Sequence, residues 1–316
     1  MLELPARALH TILDGPTLIH LNPDNSPALF ISVLLHGSET SGWYAISRWL
    51  KENPNPRNLI LFVGNVQAAA QGQRSLPGQP DYNRIWRNCD LAEGQIANQV
   101  LDYLQRSSLL LAVDLHNNTG RNPHYTVITD QRPETLALAE VFSDKAVYVE
   151  EPDTVLSRAV SDFCPSVAVE LGPIDDPASD ARAYDLVKRL TKLTNRPSTP
   201  AQAMALYRAI ARVHVDTEAS FDFADHHHTA TDVTLTAGIE GVNFHEIPAG
   251  TTFGRINRQI RKGVYVLDPS HQDVTGEFFS QDNGELRLSQ PVIPAMYTTD
   301  PAVVKQDCLC YFMQRI

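Results

Sequence analysis

No apolar run in the chain approaches the roughly 20 residues of a membrane-spanning helix. Met1 to His20 also lacks the charged-then-apolar order of a secretory signal. Positive charge is short: 26 Lys and Arg stand against 37 Asp and Glu, a formal charge of −11 at pH 7. That balance argues against a nucleic-acid or anionic-membrane partner, and an anionic ligand would need a local basic pocket. Cysteine is scarce. Cys89, Cys164, Cys308 and Cys310 are too few and too scattered for a disulfide framework. They read as reduced packing residues, and the expected compartment is the cytoplasm. Internal repeats and low-complexity segments are also missing. With 316 residues, 43% of them hydrophobic, the chain can build one large core or two smaller ones.

Leu29 to Leu35 is apolar and rich in β-branched residues, the pattern of a strand buried on both faces, and it stops at His36-Gly37-Ser38-Glu39. Gly37 permits a sharp turn, and Ser38, Glu39 and Thr40 suit the cap and first turn of a helix running toward Lys51. Asn58 to Gly64 is a second apolar strand, and residues 67–82, with two glycines and two prolines, read as a long loop. Leu91 to Arg106 has helical spacing, and Leu109 to Leu115 is a third strand that again delivers a histidine, His116, at its end. Strands over Tyr125 to Thr129 and Ala146 to Val149 flank a helix over Pro133 to Phe142. Ser166 to Val169 is a further buried strand that ends on Glu170, and Ala181 to Leu193 reads as a helix.

After the linker-like Asn195 to Pro200 the character changes. Short alternating or β-branched runs follow at Ala211 to Val215, Val233 to Thr236, Asn243 to Glu246, Gly263 to Leu267, Glu285 to Leu288 and Lys305 to Phe312. The expected architecture is a catalytic α/β domain over residues 1–204, with a mixed, largely parallel sheet flanked by helices. A smaller β-rich domain over 205–316 follows.

Polar residues at the carboxyl ends of strands in an open α/β sheet are where ligands bind. A catalytic zinc site needs three protein ligands, an open position for water, and a separate carboxylate to take the water's proton. His36, Glu39 and His116 can fill the ligand roles and Glu170 the last. Zinc lowers the pKa of its water from 15.7 to about 7, and Glu170 would then act as base and protonate the leaving amine. Arg84, with Arg74 nearby, could steady an oxyanion or pair with a substrate carboxylate.

The segments HGSE (36–39), GNVQA (64–68), Arg74 with DYNRIW (81–86), DLHNNT (114–119) and AVELGP (168–173) come in one order over most of residues 28–175. Together they resemble the zinc-dependent succinylglutamate desuccinylase/aspartoacylase family, itself related to the metallocarboxypeptidases. FHEIPAGTTFGRI and PVIPAMY in the tail resemble its second domain. The resemblance implies a zinc-carboxypeptidase-like fold and one Zn2+ per chain held by His36, Glu39 and His116. It makes Glu170 the base, has Arg74 steady the intermediate, and has Asn83 and Arg84 hold a substrate carboxylate. It also implies a small anionic N-acyl amino acid as substrate, N-succinylglutamate and N-acetylaspartate being the types. Tyr297, in PAMY, matches a tyrosine lent to the substrate pocket by the second domain. Arg121 lies near where desuccinylases carry an arginine after the third ligand. Arg158 is the candidate for an arginine that aspartoacylases carry before the base, at a spacing about two residues longer. Ser38 stands where the family usually has Asn, and Tyr82 where it usually has an aliphatic residue.

Two rivals stay open at this stage, a metallocarboxypeptidase acting on peptides and a catalytically silent metal- or ligand-binding protein on the same fold. Against the first, only 77 residues separate Glu39 from His116, whereas carboxypeptidases generally separate these ligands by over a hundred. His226-His227-His228 looks like a metal site, but consecutive residues cannot all point one way on a strand. His214, His245 and His271 read as ordinary, and Trp43, Trp49 and Trp86 as packing residues. A homo-oligomer is compatible with the sequence, though no pattern demands one.

Overall fold

A computed structural model describes residues 1–224, 231–257 and 263–316; His226 to His228 lie outside them. The chain forms two compact units, one of residues 1–117 and 124–206 and the other of residues 118–123 and 207–316.

The first unit holds strands β1 (Thr17–Leu21), β2 (Ala28–Val33), β3 (Leu59–Val63), β4 (Leu109–Asn118), β5 (Tyr125–Ile128), β6 (Lys145–Tyr148) and β7 (Ser166–Pro173). Between them lie helices α1 (Ser41–Glu52), α2 (Val66–Gln71), α3 (Ala92–Arg106), α4 (Pro133–Glu140) and α5 (Leu156–Ser161), with α6 (Pro177–Leu190) after β7. The strand order is β1-β3-β2-β4-β7-β5-β6. β2 runs parallel to both β3 and β4, and β5 runs parallel to β6. β1 is antiparallel to β3, and β5 to β7. Every residue of β2, β3 and β4 is buried, as expected of strands covered on both faces. Alternate residues serve two cores: Leu29, Ile31 and Val33 join the cluster containing Trp43 and Ile46 of α1, while Ala28 and Phe30 join that of Ala97, Val100 and Leu104 of α3. Trp43, Ile46, Trp49 and Leu50 form the buried stripe of α1. The helix ends at Asn53, where the following proline disfavours helical backbone.

The second unit pairs β8 (Ala205–Val215) antiparallel with β12 (Val264–Leu267) and β16 (Cys310–Arg315), and β16 with β15 (Ile293–Ala295). A five-stranded sheet has the order β13-β14-β11-β10-β9, from Phe279–Asp282, Glu285–Leu288, Thr252–Ile256, Val233–Thr236 and Phe221–Ala224. Asn283 and Gly284 both take positive φ between β13 and β14, the geometry of a tight hairpin turn. Phe253, Phe278, Phe279 and Phe312 anchor this unit's core. No helix among the described residues is long and apolar enough to cross a membrane.

Three expectations are corrected. Residues 67–82 are not one loop: α2 occupies its start, capped by the Asn65 carboxamide and closed by a left-handed Gly72. Lys305 to Phe312 is not one strand, because Asp300 and Pro301 start helix α7 (Pro301–Gln306) before β16 begins. Asn243 to Glu246 is turn rather than strand, with Phe244 at positive φ.

The α1 packing gives a direct check. Ile46→Ala, at a fully buried position, should destabilise the protein by about 3 kcal/mol. Tyr44→Ala, 39% exposed on the same helix, should cost less than about 0.5 kcal/mol. The difference in urea midpoint between the two variants reads this out.

Candidate metal centre and active site

Past the end of β2, Leu34 takes a left-handed φ of 59°, a strained conformation for a leucine. Its carbonyl accepts the Asn65 N–H at 2.6 Å, which pins the chain just before His36. Gly37 follows in a place where a Cβ would sit 2.2 Å from the Ala69 nitrogen of α2, so only glycine fits. The Gly37 N–H donates to the Arg74 carbonyl at 3.0 Å. This tight turn brings Glu39 back beneath His36, and β4 supplies His116 from the neighbouring strand.

The three candidate ligands are buried and converge. His36 Nδ1 lies 2.8 Å from Glu39 Oε1, and His116 Nδ1 lies 2.7 Å from Glu39 Oε2. One donor atom from each residue falls within 4.8 Å of the other two. The far side of each ring is fixed by a carboxylate: His36 Nε2 lies 2.9 Å from Asp81 Oδ1 and His116 Nε2 2.7 Å from Asp114 Oδ2. Imidazoles held this way present the opposite nitrogen to a metal in a set orientation. The Asn117 N–H also donates to Glu39 Oε2, at 3.2 Å.

The electrostatics suit a divalent cation. Burial alone would raise the pKa of Glu39, but the imidazoles on both its oxygens hold it well below the usual carboxylate range. Asp81 is likewise kept low against its burial by His36 and Arg74. Burial disfavours the imidazolium form of both histidines, and Arg74 adds to this at His36. Facing carboxylates outweigh these effects, so the pKa of His36 is raised and that of His116 raised well above the ordinary value. Two imidazoles and one carboxylate converge on one buried point, a donor set of the kind that zinc takes, so the residues present fit zinc.

Glu170 stands on β7 opposite Tyr125. Its carboxyl is pushed up to about 7, by burial first and by the Glu39 charge second, against the opposing pull of His116, His36 and Arg74. Glu170 Oε2 is buried without a hydrogen-bond partner among the described residues. A carboxyl poised near neutrality is suited to taking and returning a proton.

Arg74 places Nη2 2.8 Å and Nε 3.3 Å from Asp81 Oδ2, with Nη1 3.7 Å from Glu39 Oε1. Asn83 sets Nδ2 3.2 Å from His116 Nε2 and accepts the Leu156 N–H on Oδ1. Arg84 donates from Nη1 to the Asn83 carbonyl at 2.9 Å. These residues gather on the histidine-carboxylate cluster. Arg158, on α5, instead donates to Ser161 Oγ at 3.3 Å and lies 3.7 Å from Asp162. Arg121 and Tyr297 belong to the second unit. There the Arg121 carbonyl accepts from Asn243 Nδ2, and Tyr297 is fully buried with its ring edge-on to Phe253. Asp81, Asp114 and Asn117 were not singled out from the sequence. Asp114 carried a signal, since it lies two residues before His116 and so shares its strand face.

A family model described as the succinylglutamate desuccinylase/aspartoacylase catalytic domain matches residues 25–194. No curated protein sequence matches the chain. Among solved structures, the chain is similar to succinylglutamate desuccinylase from Chromobacterium violaceum, with 17% identity, 96% of this chain and 89% of that one covered, and a TM-score of 0.61. It is similar to a succinylglutamate desuccinylase/aspartoacylase from Rhodobacter sphaeroides, with 16% identity, 96% and 97% covered, and a TM-score of 0.62. It is also similar to murine aminoacylase 3, with 17% identity, 93% and 97% covered, and a TM-score of 0.59. At these identities the likeness speaks to the fold.

The raised histidine pKa values make a signed prediction. Zinc must displace protons from His36 and His116, so its binding at pH 7 should release up to about two protons and should tighten as pH rises. Calorimetry in buffers of different ionisation enthalpy measures the release; binding without it would contradict the site.

Proposed function

The chain belongs to the succinylglutamate desuccinylase/aspartoacylase family, whose catalytic-domain model spans more than half of its 316 residues, and on that premise we propose that it is a zinc-dependent amidohydrolase. It would remove the acyl group from an N-acylated acidic amino acid of the N-succinylglutamate or N-acetylaspartate type. The observation that carries the reading is the convergence of His36, Glu39 and His116 on one buried point, with Glu170 in the same electrostatic field. His36, Glu39 and His116 would hold one zinc ion per chain, which when bound supplies Lewis acidity that activates water and polarises the scissile carbonyl.

The chain's own groups supply the rest. Glu170 takes the proton of the attacking water and returns it to the departing nitrogen, so acid and amine leave with atoms and charges balanced. Arg74, held by Asp81, directs its guanidinium at the developing oxyanion. Asn83 and Arg84 receive the substrate carboxylate, which suits a guanidinium in a protein that is otherwise acidic. Arg121, Arg158 and Tyr297 enter as further candidate substrate contacts on the family resemblance alone. The free cysteines accord with a cytoplasmic setting, which belongs to the same proposal.

Amino-acid release from N-acetyl and N-succinyl amino acids and from C-terminal peptides tests it. An N-acyl acidic amino acid should be cleaved, and a chelator should abolish turnover. Peptide trimming alone, or zinc binding with no turnover, would overturn the reading. Because the base must be ionised, kcat/KM should fall as pH drops through the pKa of Glu170, which a bound cation would hold below the metal-free value. Glu170→Gln should lower kcat at least about 100-fold and abolish that acid limb.

A further inference from the structure

We infer that Asn117 is a positioning residue that locks the ligand turn and the base strand to each other; this rests on the reading of Glu170 as the base. Asn117 follows His116 at the end of β4 and is buried. Every polar group of its carboxamide is engaged. Oδ1 accepts the N–H of Ser41, the first residue of α1, at 3.2 Å. Nδ2 donates to Ser41 Oγ at 3.0 Å and to the Gly172 carbonyl at 3.1 Å, with the Pro173 carbonyl at 3.4 Å. Its backbone N–H donates to Glu39 Oε2.

The two halves of the carboxamide do different work. Thr40, the N-cap residue just before α1, makes no side-chain cap bond, so Asn117 Oδ1, on β4, caps this helix instead. That bond holds α1 two residues after the ligand Glu39. The donor half reaches β7 two residues after Glu170. One side chain thereby ties the turn bearing two proposed ligands, the strand bearing the third, and the strand bearing the base. Nothing else in the DLHNNT segment explains why a buried carboxamide, costly unless fully bonded, sits on the face of β4 turned toward α1.

The halves can be separated by substitution. Asn117→Asp keeps an acceptor for the Ser41 N–H but loses both donors and sets a carboxylate against the Gly172 carbonyl. Asn117→Ala loses both halves, and Ser41→Ala removes one acceptor only. Zinc affinity by calorimetry, melting temperature, and kcat and KM on the best substrate of the wild-type protein should be measured for all three.

The expected result is that Asn117→Ala weakens zinc binding and lowers kcat each by about tenfold or more. Asn117→Asp should keep zinc affinity within about threefold while kcat falls at least about tenfold and KM moves less than about threefold. A merely structural role would lower the melting temperature of Asn117→Asp and Ser41→Ala alike without parting zinc affinity from kcat. Wild-type kcat in Asn117→Asp overturns the inference, as do zinc affinity and kcat within about twofold of wild type in Asn117→Ala. Should Asn117→Ala fail to fold, the split in Asn117→Asp decides. A wild-type protein that binds zinc but turns nothing over refutes the deacylase reading instead, and the zinc-affinity comparison still tests the ligand half.

Discussion

Glu39 sits between two imidazoles, one oxygen on each, and most of what is particular about this fold serves to keep it there. A carboxylate this deeply buried is tolerated only when paired and hydrogen-bonded. Each partner is itself anchored: His36 by Asp81, His116 by Asp114, and the Glu39 oxygen again by the Asn117 backbone. Removing one member leaves an uncompensated charge in the interior, which typically costs several kcal/mol. The cluster is therefore held by mutual dependence, and the packed strands beneath it make that rigid.

The sheet explains where the cluster stands. β2 and β4 are adjacent and parallel, so their carboxyl ends open at the same edge and two histidines distant in sequence arrive side by side. His36 follows the end of β2, while Asp114 and His116 lie in the carboxyl-terminal half of β4 and Glu170 lies within β7, so the polar groups gather toward one edge of an otherwise apolar sheet. Strain is stored at this edge, in the left-handed Leu34, and offset by the Asn65 bond to its carbonyl.

This economy made much of the site legible before the structure. His36, His116 and Glu170 each end an apolar run, and a polar residue that recurs in that place stands out against hydrophobic background, although β4 and β7 continue past His116 and Glu170. The α/β class followed from the same runs. Asp81 was hidden because it lies in a polar loop where one more carboxylate carries no contrast, whereas Asp114 was open to reading from its place two residues before His116 on one strand face. Helix α2 was unreadable from periodicity: VQAAAQ has no amphipathic stripe, and it exists through its Asn65 cap and Gly72 terminator. The Lys305 to Phe312 run misled because helix and strand are both short there and the start signal, Asp300-Pro301, lies upstream of it. Asn117 was beyond sequence reading altogether, since its role consists of bonds to two distant segments.

If one metal centre, built from Nδ1 of two histidines and the carboxylate between them, organises the site, it must be visible in the zinc-loaded protein. A crystal structure of the zinc-loaded protein, with anomalous differences collected at the zinc edge, tests it most directly. A strong peak bonded to His36 Nδ1, His116 Nδ1 and a Glu39 oxygen is expected, with Asp81 and Asp114 still on the opposite ring nitrogens. A peak at the His226-His227-His228 run alone, or zinc bound through Nε2 after displacement of those aspartates, would contradict it.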